Sequence, residues 1–168
     1  MPSRTELGKA LLECLQDIAA LLEQGRSAAI EEQRALVAND AEALVRTCKA
    51  QEEVLRRIAE RDQVAADAAS RLSELAGINS DTADTESVVS SAGPLYAELI
   101  ADEMDRIGTL ARALQEEHEI NRQLLENGLE IVACCLRTLA SDPGPSSYSK
   151  DAGVAETQPF VLSLDRRA

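Results

Sequence analysis

Residues 95–140 read LYAELIADEMDRIGTLARALQEEHEINRQLLENGLEIVACCLRTLA, a stretch without proline or a run of turn residues. Its apolar residues recur at steps of three and four: Leu95, Leu99, Ile100, Ile107, Leu110, Leu114, Leu124, Leu125, Ile131, Val132, Leu136 and Leu139. This spacing predicts an α-helix with the apolar residues on one side, about 70 Å long at about 1.5 Å per residue. Because one helix cannot bury such a stripe alone, it must pack against other helices.

Two more helices are predicted before this stretch. The first, at about 5–38, starts at Thr5 as its cap and carries a seam in alternate steps of four and three: Leu7, Leu11, Cys14, Ile18, Leu21, Gly25 and Ala28. The second covers 41–76 and ends at Gly77, a residue suited to a left-handed C-terminal position. Its predicted seam is Leu44, Cys48, Gln51, Leu55, Ile58, Asp62, Ala65, Ala69, Leu72 and Ala76.

The connections between these segments predict the fold class. The short link at Asn39-Asp40 favours an antiparallel hairpin of the first two helices. Residues 77–93 are rich in Ser, Thr, Asp and Glu and predict a flexible linker with at most a helical turn or two, followed by Pro94 at the first position of the third helix. We therefore expect an all-α fold: an elongated antiparallel bundle or coiled coil of three long helices over 1–140, with a mobile tail over 141–168.

Composition and charge exclude several functional classes. Aromatic residues make up only 2% of the chain, which suits slender helices better than a broad pocket. The net charge is −13, from 17 basic and 30 acidic residues, and it disfavours nucleic acid and anionic lipid as partners. The apolar runs are too short for membrane insertion and the N-terminus does not resemble a signal peptide, so a cytoplasmic location is expected. The four cysteines are interpreted as reduced thiols within helix cores.

The sequence shows no catalytic motif. The single histidine, His118, lies among acidic residues, and Gln115 stands where the ExxH spacing of a di-iron bundle requires a glutamate. Neighbouring carboxylates such as Glu52 and Glu53 point in different directions around a helix and do not converge. We therefore predict a protein that is not an enzyme and that uses no cofactor or metal.

The lengths of the predicted helices point to an uncovered apolar surface. The second helix has roughly 36 residues and the third roughly 46, so antiparallel pairing from the Gly77 end would leave the end of the third helix beyond the hairpin turn. That end contains Ile131, Val132, Leu136 and Leu139. Covering four such side chains is worth about 6–12 kcal/mol gross, from which association costs subtract several. This predicts a site for a partner helix.

Asn121 occupies a position of the third helix where an apolar residue is expected. A polar residue in such a seam can fix the register of a helical bundle. Alternatively, it can help to recognise a partner helix. The sequence leaves both interpretations open.

Two groups of residues carry a resemblance to a known family. The first, in the predicted hairpin, reads Glu32-x-x-Ala35-Leu36-x-x-x-Asp40-x-x-x-Leu44, then Lys49, then Val54-Leu55-x-x-Ile58-x-x-Arg61. The second reads Asn121-Arg122-Gln123-Leu124-Leu125, followed in the tail by YSKDAG at 148–153. In their order and spacing, over most of residues 11–153, these segments resemble the flagellar export chaperone FlgN family.

The resemblance implies a non-enzymatic cytoplasmic chaperone. Such a protein would hold its clients, the hook–filament junction proteins FlgK and FlgL, and escort them to the export gate protein FlhA. Client helices would lie on the last helix, at Asn121, Leu124, Leu125, Ile131, Val132, Leu136 and Leu139, and Tyr148 would dock on the gate. Two alternatives stay open: a structural coiled-coil protein that self-associates without a client, and a Tyr148 that folds back on its own bundle.

Overall fold

A computed structural model describes residues 3–78 and 84–141 of the chain. Within these residues the structure is helical and has no strand, so the predicted all-α class is confirmed. The four helices are α1 Arg4–Ala38, α2 Ala41–Ala76, α3 Thr85–Ser91 and α4 Pro94–Ser141. The chain divides into two compact units, Met1–Leu125 and Glu126–Ala168, and the boundary falls inside α4. The predicted mobile tail lies, from residue 142 onward, outside the described residues and stays a prediction.

Helix α1 begins at a capping box. The Glu6 backbone N–H donates to Ser3 Oγ at 3.2 Å, and the Ser3 backbone N–H donates to the Glu6 carboxylate at 2.7 Å. The hydrogen bond from the Ser3 backbone holds the pKa of Glu6 below its ordinary value. The predicted cap at Thr5 is therefore wrong, because Ser3 has the glutamate at the third helical position that completes the reciprocal pair.

The connection between α1 and α2 is a tight turn. Asn39 ends α1 in the left-handed conformation with φ 53°, and the Asp40 side chain accepts a hydrogen bond from the Ala43 backbone N–H at 2.9 Å. Contacts pair the start of one helix with the end of the other: Arg4 with Leu75, Asp17 with Arg61, and Glu32 with Gln51. The two helices therefore run antiparallel, as the short connection predicts.

In the first unit, α4 packs beside α1 in the same direction. A Cβ atom built on Gly8 would lie 3.2 Å from the Cβ atoms of Ala92 and Tyr96, so the backbones approach closely near the start of both helices. Further along, the Asn121 side chain donates to the backbone carbonyl of Ala29 at 2.8 Å. Residues 94–125 thus form the third long helix of a bundle, antiparallel to α2.

The core of the first unit is slender. It combines large side chains with many small ones: Leu7, Leu11, Cys14, Ala65, Ala68, Leu72, Ala92 and Ile100. The predicted α1 seam is confirmed, since all seven of its residues are buried. In α2 the predicted seam is wrong at Cys48, Leu55 and Asp62, which are exposed. Thr47 and Val54, one position before Cys48 and Leu55, are buried instead, and Ala68 is buried beside the half-buried seam residue Ala69.

The predicted linker between α2 and α4 contains the short helix α3. The Asp84 side chain caps it by accepting a hydrogen bond from the Ser87 backbone N–H at 2.7 Å. Just after α3, Ala92 is buried in the core, and Val89 packs against it. Gly77 ends α2 in the left-handed conformation with φ 69°, as predicted. The part of the linker from residue 84 onward is therefore folded against the bundle.

Candidate functional site

A buried polar layer links the three long helices of the first unit. Asn121 on α4 is only 3% exposed, and its Nδ2 donates to Ala29 O and to Glu32 Oε2, both at 2.8 Å. The same Glu32 oxygen accepts from Gln51 Nε2 on α2 at 2.9 Å. Asn121 Oδ1 is buried and accepts no hydrogen bond from a residue that the structure describes. This placement favours the register-fixing interpretation of Asn121.

We expect Asn121→Ala to lower the free energy of unfolding by about 1–3 kcal/mol, because one buried and one partly buried hydrogen bond are lost and the Glu32 carboxylate keeps only the bond from Gln51 across the helices. Urea denaturation followed by circular dichroism measures the change. Asn127→Ala is the matched control, since Asn127 lies on the same helix and is exposed. If Asn121 instead contacts a client, its substitution weakens client binding and leaves the unfolding free energy unchanged.

The acidic surface around His118 has the properties of a solvated helix face. Glu119 accepts hydrogen bonds from Arg122 at 2.8 and 2.9 Å and from Gln123 at 2.9 Å. These bonds, first that from Arg122, lower the pKa of Glu119 to about 2. Across residues 3–78 and 84–141, no group of three or more His, Cys, Asp or Glu side chains is arranged to hold a metal ion.

The cysteines occupy different environments. Cys14 is buried, and burial raises the pKa of its thiol, which suits a small neutral core residue. Cys48, Cys134 and Cys135 are exposed, so the interpretation as core thiols is wrong for these three. Cys48 lies on the exposed side of α2, whereas Cys134 and Cys135 lie in residues 126–140, all of which are exposed.

Helix α4 carries two neighbouring rows of side chains, which we call the inner and outer seams. Within the first unit the inner seam advances in alternate steps of four and three, and all its members are buried or half-buried: Tyr96, Ile100, Glu103, Ile107, Leu110, Leu114, Glu117, Asn121 and Leu124. The outer seam there is exposed and consists largely of small or polar residues: Met104, Gly108, Ala111, Gln115, His118 and Arg122. Inside the bundle, α4 therefore uses one seam only.

The composition of the outer seam changes at Leu125. From there it continues in the same steps as an uninterrupted aliphatic row: Leu125, Leu129, Val132, Leu136 and Leu139. In the second unit, Leu129, Val132, Leu136 and Leu139 are between 55% and 73% exposed. The inner seam continues there as Gly128, Ile131, Cys135 and Thr138, all exposed. Residues 126–140 thus present a face, here called the apolar face, that is open to a partner.

The structure separates the client-binding residues predicted from the sequence into two groups. Asn121 is buried, Leu124 is half-buried and Leu125 is 45% exposed within the first unit. Ile131, Val132, Leu136 and Leu139 are exposed in the second unit. Tyr148 lies outside the described residues.

Leu129, which is 69% exposed on the apolar face, is not among the client-binding residues predicted from the sequence. The spacing of the sequence could have identified it, since Leu129 lies four residues after Leu125 and seven before Leu136. That spacing makes it a member of the outer seam. The neighbouring Gly128 has open space where a Cβ atom would be, so a partner backbone can approach closely there.

The apolar face has the spacing of a helix-binding surface. Aliphatic residues at alternate steps of four and three are the knobs that a facing amphipathic helix accepts.

In the described parts of the chain, no helix is long and apolar enough to cross a membrane. A family model described as FlgN protein matches residues 1–156. No curated protein and no solved structure matches the chain.

Proposed function

The chain belongs to the FlgN family of flagellar export chaperones, and we propose that it binds amphipathic C-terminal helices of the hook–filament junction proteins FlgK and FlgL. Binding takes place in the cytoplasm before export, and it keeps these clients unassembled. The chaperone then delivers them to the export gate protein FlhA. No step requires a cofactor or a covalent reaction.

The observation that carries this proposal is the exposed apolar face of α4. A client helix laid on it removes Leu129, Val132, Leu136 and Leu139 from water. Burial of four such side chains is worth about 6–12 kcal/mol gross. Association itself costs several kcal/mol or more, so the net affinity is modest. Reversible binding of this kind suits a chaperone, because the client must be released at the gate.

A self-associating coiled-coil protein is the second candidate, because the spacing of the outer seam also suits a second copy of α4. Against it stands the net charge of −13, which makes two copies repel each other. Size-exclusion chromatography with light scattering, run with and without the C-terminal segment of FlgK, separates the two candidates. A chaperone forms a mixed complex with the segment. A structural coiled coil forms an oligomer of one component and does not take up the segment.

Docking on the gate is assigned to Tyr148, which offers apolar area and a hydroxyl group at low rotamer entropy. We expect Tyr148→Ala to weaken capture of FlhA by about tenfold or more, as loss of a central interface aromatic does, while FlgK capture is unchanged. A pull-down with both proteins measures this, with Ser146→Ala as the control in the same segment. Equal FlhA capture by wild type and Tyr148→Ala contradicts the role.

A further inference from the structure

The apolar face is too wide for the seam of one partner helix. At about 100° per residue, its apolar side chains spread over about 160° of the helix circumference. In order around the helix they are Ile131, Cys135, Leu139, Val132, Leu136 and Leu129. Glu126, Glu130 and Arg137 lie on the remaining side. Ile131 therefore marks one edge of the apolar face and Leu129 marks the other.

A single partner helix covers a narrower arc than this. Two packed helices lie about 8–10 Å apart, and a two-stranded contact uses two of every seven positions, one seam on each helix. A helix seated on the outer seam covers Leu129 and Leu136 but leaves Ile131 exposed. A helix seated on the inner seam covers Ile131 and leaves Leu129 exposed.

The first unit shows how many helices the inner seam alone accepts. Asn121 contacts Ala29 of α1. Ile100 belongs to the same core cluster as Leu72 of α2. Two helices therefore share the buried arc of α4 between residues 96 and 124. In the sequence of residues 126–140 the same steps of four and three continue, and the outer seam there is aliphatic.

We propose that the client covers the apolar face with two helices, one along each seam. This rests on the proposed function and specifies its partner: a pair of amphipathic segments, each about 15 residues long to match residues 126–140. A second copy of the chain fits less well, because its α4 supplies one helix and leaves one seam of each copy exposed. The net charge of −13 adds repulsion between copies.

Site-specific photo-crosslinking tests this with the full chain and full-length FlgK. The crosslinking amino acid p-benzoylphenylalanine replaces Leu129 in one variant and Ile131 in another, and mass spectrometry maps the products. We expect the two positions to crosslink to two FlgK segments more than about 15 residues apart in sequence, one helix length. A second crosslinking position is tested at each edge: Leu136 beside Leu129, and Cys135 beside Ile131. Glu130, between the two edges on the polar side, is the control and gives no product.

The outcomes separate the two-helix client from its alternatives. Crosslinks from both edges to one FlgK segment, or to FlgK from one edge only, overturn the proposal. So do crosslinks from either edge to a second copy or to residues 142–168 of the same chain. If unlabelled chain and FlgK do not co-elute in size-exclusion chromatography, the proposed function itself fails, and the pairing of helices fails with it.

Discussion

Leu136→Asp is expected to weaken binding of the FlgK C-terminal segment at least a hundredfold, with the helical circular dichroism of the chain unchanged. Leu136 is 60% exposed in the free chain, so its substitution removes little packing there. In the complex, the variant loses about 1.5–3 kcal/mol of apolar burial and places a carboxylate without a partner against an apolar helix. Since about 1.4 kcal/mol is a factor of ten, a loss of two orders of magnitude follows.

Leu55→Asp is the matched control for this measurement. Leu55 is 63% exposed, lies in the interior of α2 and undergoes the same chemical change outside the apolar face. Isothermal titration calorimetry with the FlgK segment should give wild-type affinity for Leu55→Asp. Equal affinity of Leu136→Asp and wild type would show that the apolar face is not the client site. An equal loss in both variants would show that added charge, not position, weakens binding.

Leu72→Ala is expected to lower the free energy of unfolding by about 2–5 kcal/mol, the range for a large-to-small change in a packed core. The Leu72 side chain is fully buried in α2 and packs in one cluster with Leu7, Leu11 and Ile100. Three of its neighbours in this cluster are alanines, whose short side chains cannot move to fill the cavity. Domains of this size are commonly stable by only about 5–15 kcal/mol, so the loss is a large part of the total.

Urea denaturation monitored by circular dichroism measures this difference, with Leu75→Ala as the control on the same helix. Leu75 is 42% exposed, so the same truncation removes less buried area, and we expect a loss below about 1 kcal/mol. Similar midpoints for the two variants would contradict the assignment of the core to the Leu72 side of α2.

Helix α4 packs in the bundle over its first part and presents an exposed apolar face over its last part, and this difference follows from its length and composition. Helix α4 has 48 residues and α2 has 36. The inner seam of α4 meets α1 and α2 in the first unit, while the outer seam of α4 is aliphatic only from Leu125 onward. An exposed aliphatic row favours non-specific association. The net charge of −13 opposes such association between copies and leaves the apolar face available to a client.

The end of α2 and the seam of α1 could be predicted because each depends on residues close together in the sequence of one helix. Gly77 ends α2 because a residue without a side chain adopts the left-handed conformation there at little cost. The seam of α1 could be identified because its residues recur from Leu7 to Ala28 in unbroken steps of four and three. The cap of α1 could also have been found, since Ser3 and Glu6 have the spacing of a capping box and Thr5 does not.

Sequence by itself therefore determined that this chain is helical, where its long helices lie, and that the end of α4 carries more aliphatic residues than one seam needs. Tertiary structure decided which of the adjacent residues Val54 and Leu55 is buried, because either could continue the spacing of α2 until Gly25 of α1 packs against Val54. It also decided that Asn121 is a buried link between helices. The physical reason is that periodicity is a property of one helix, whereas burial depends on which partners cover it.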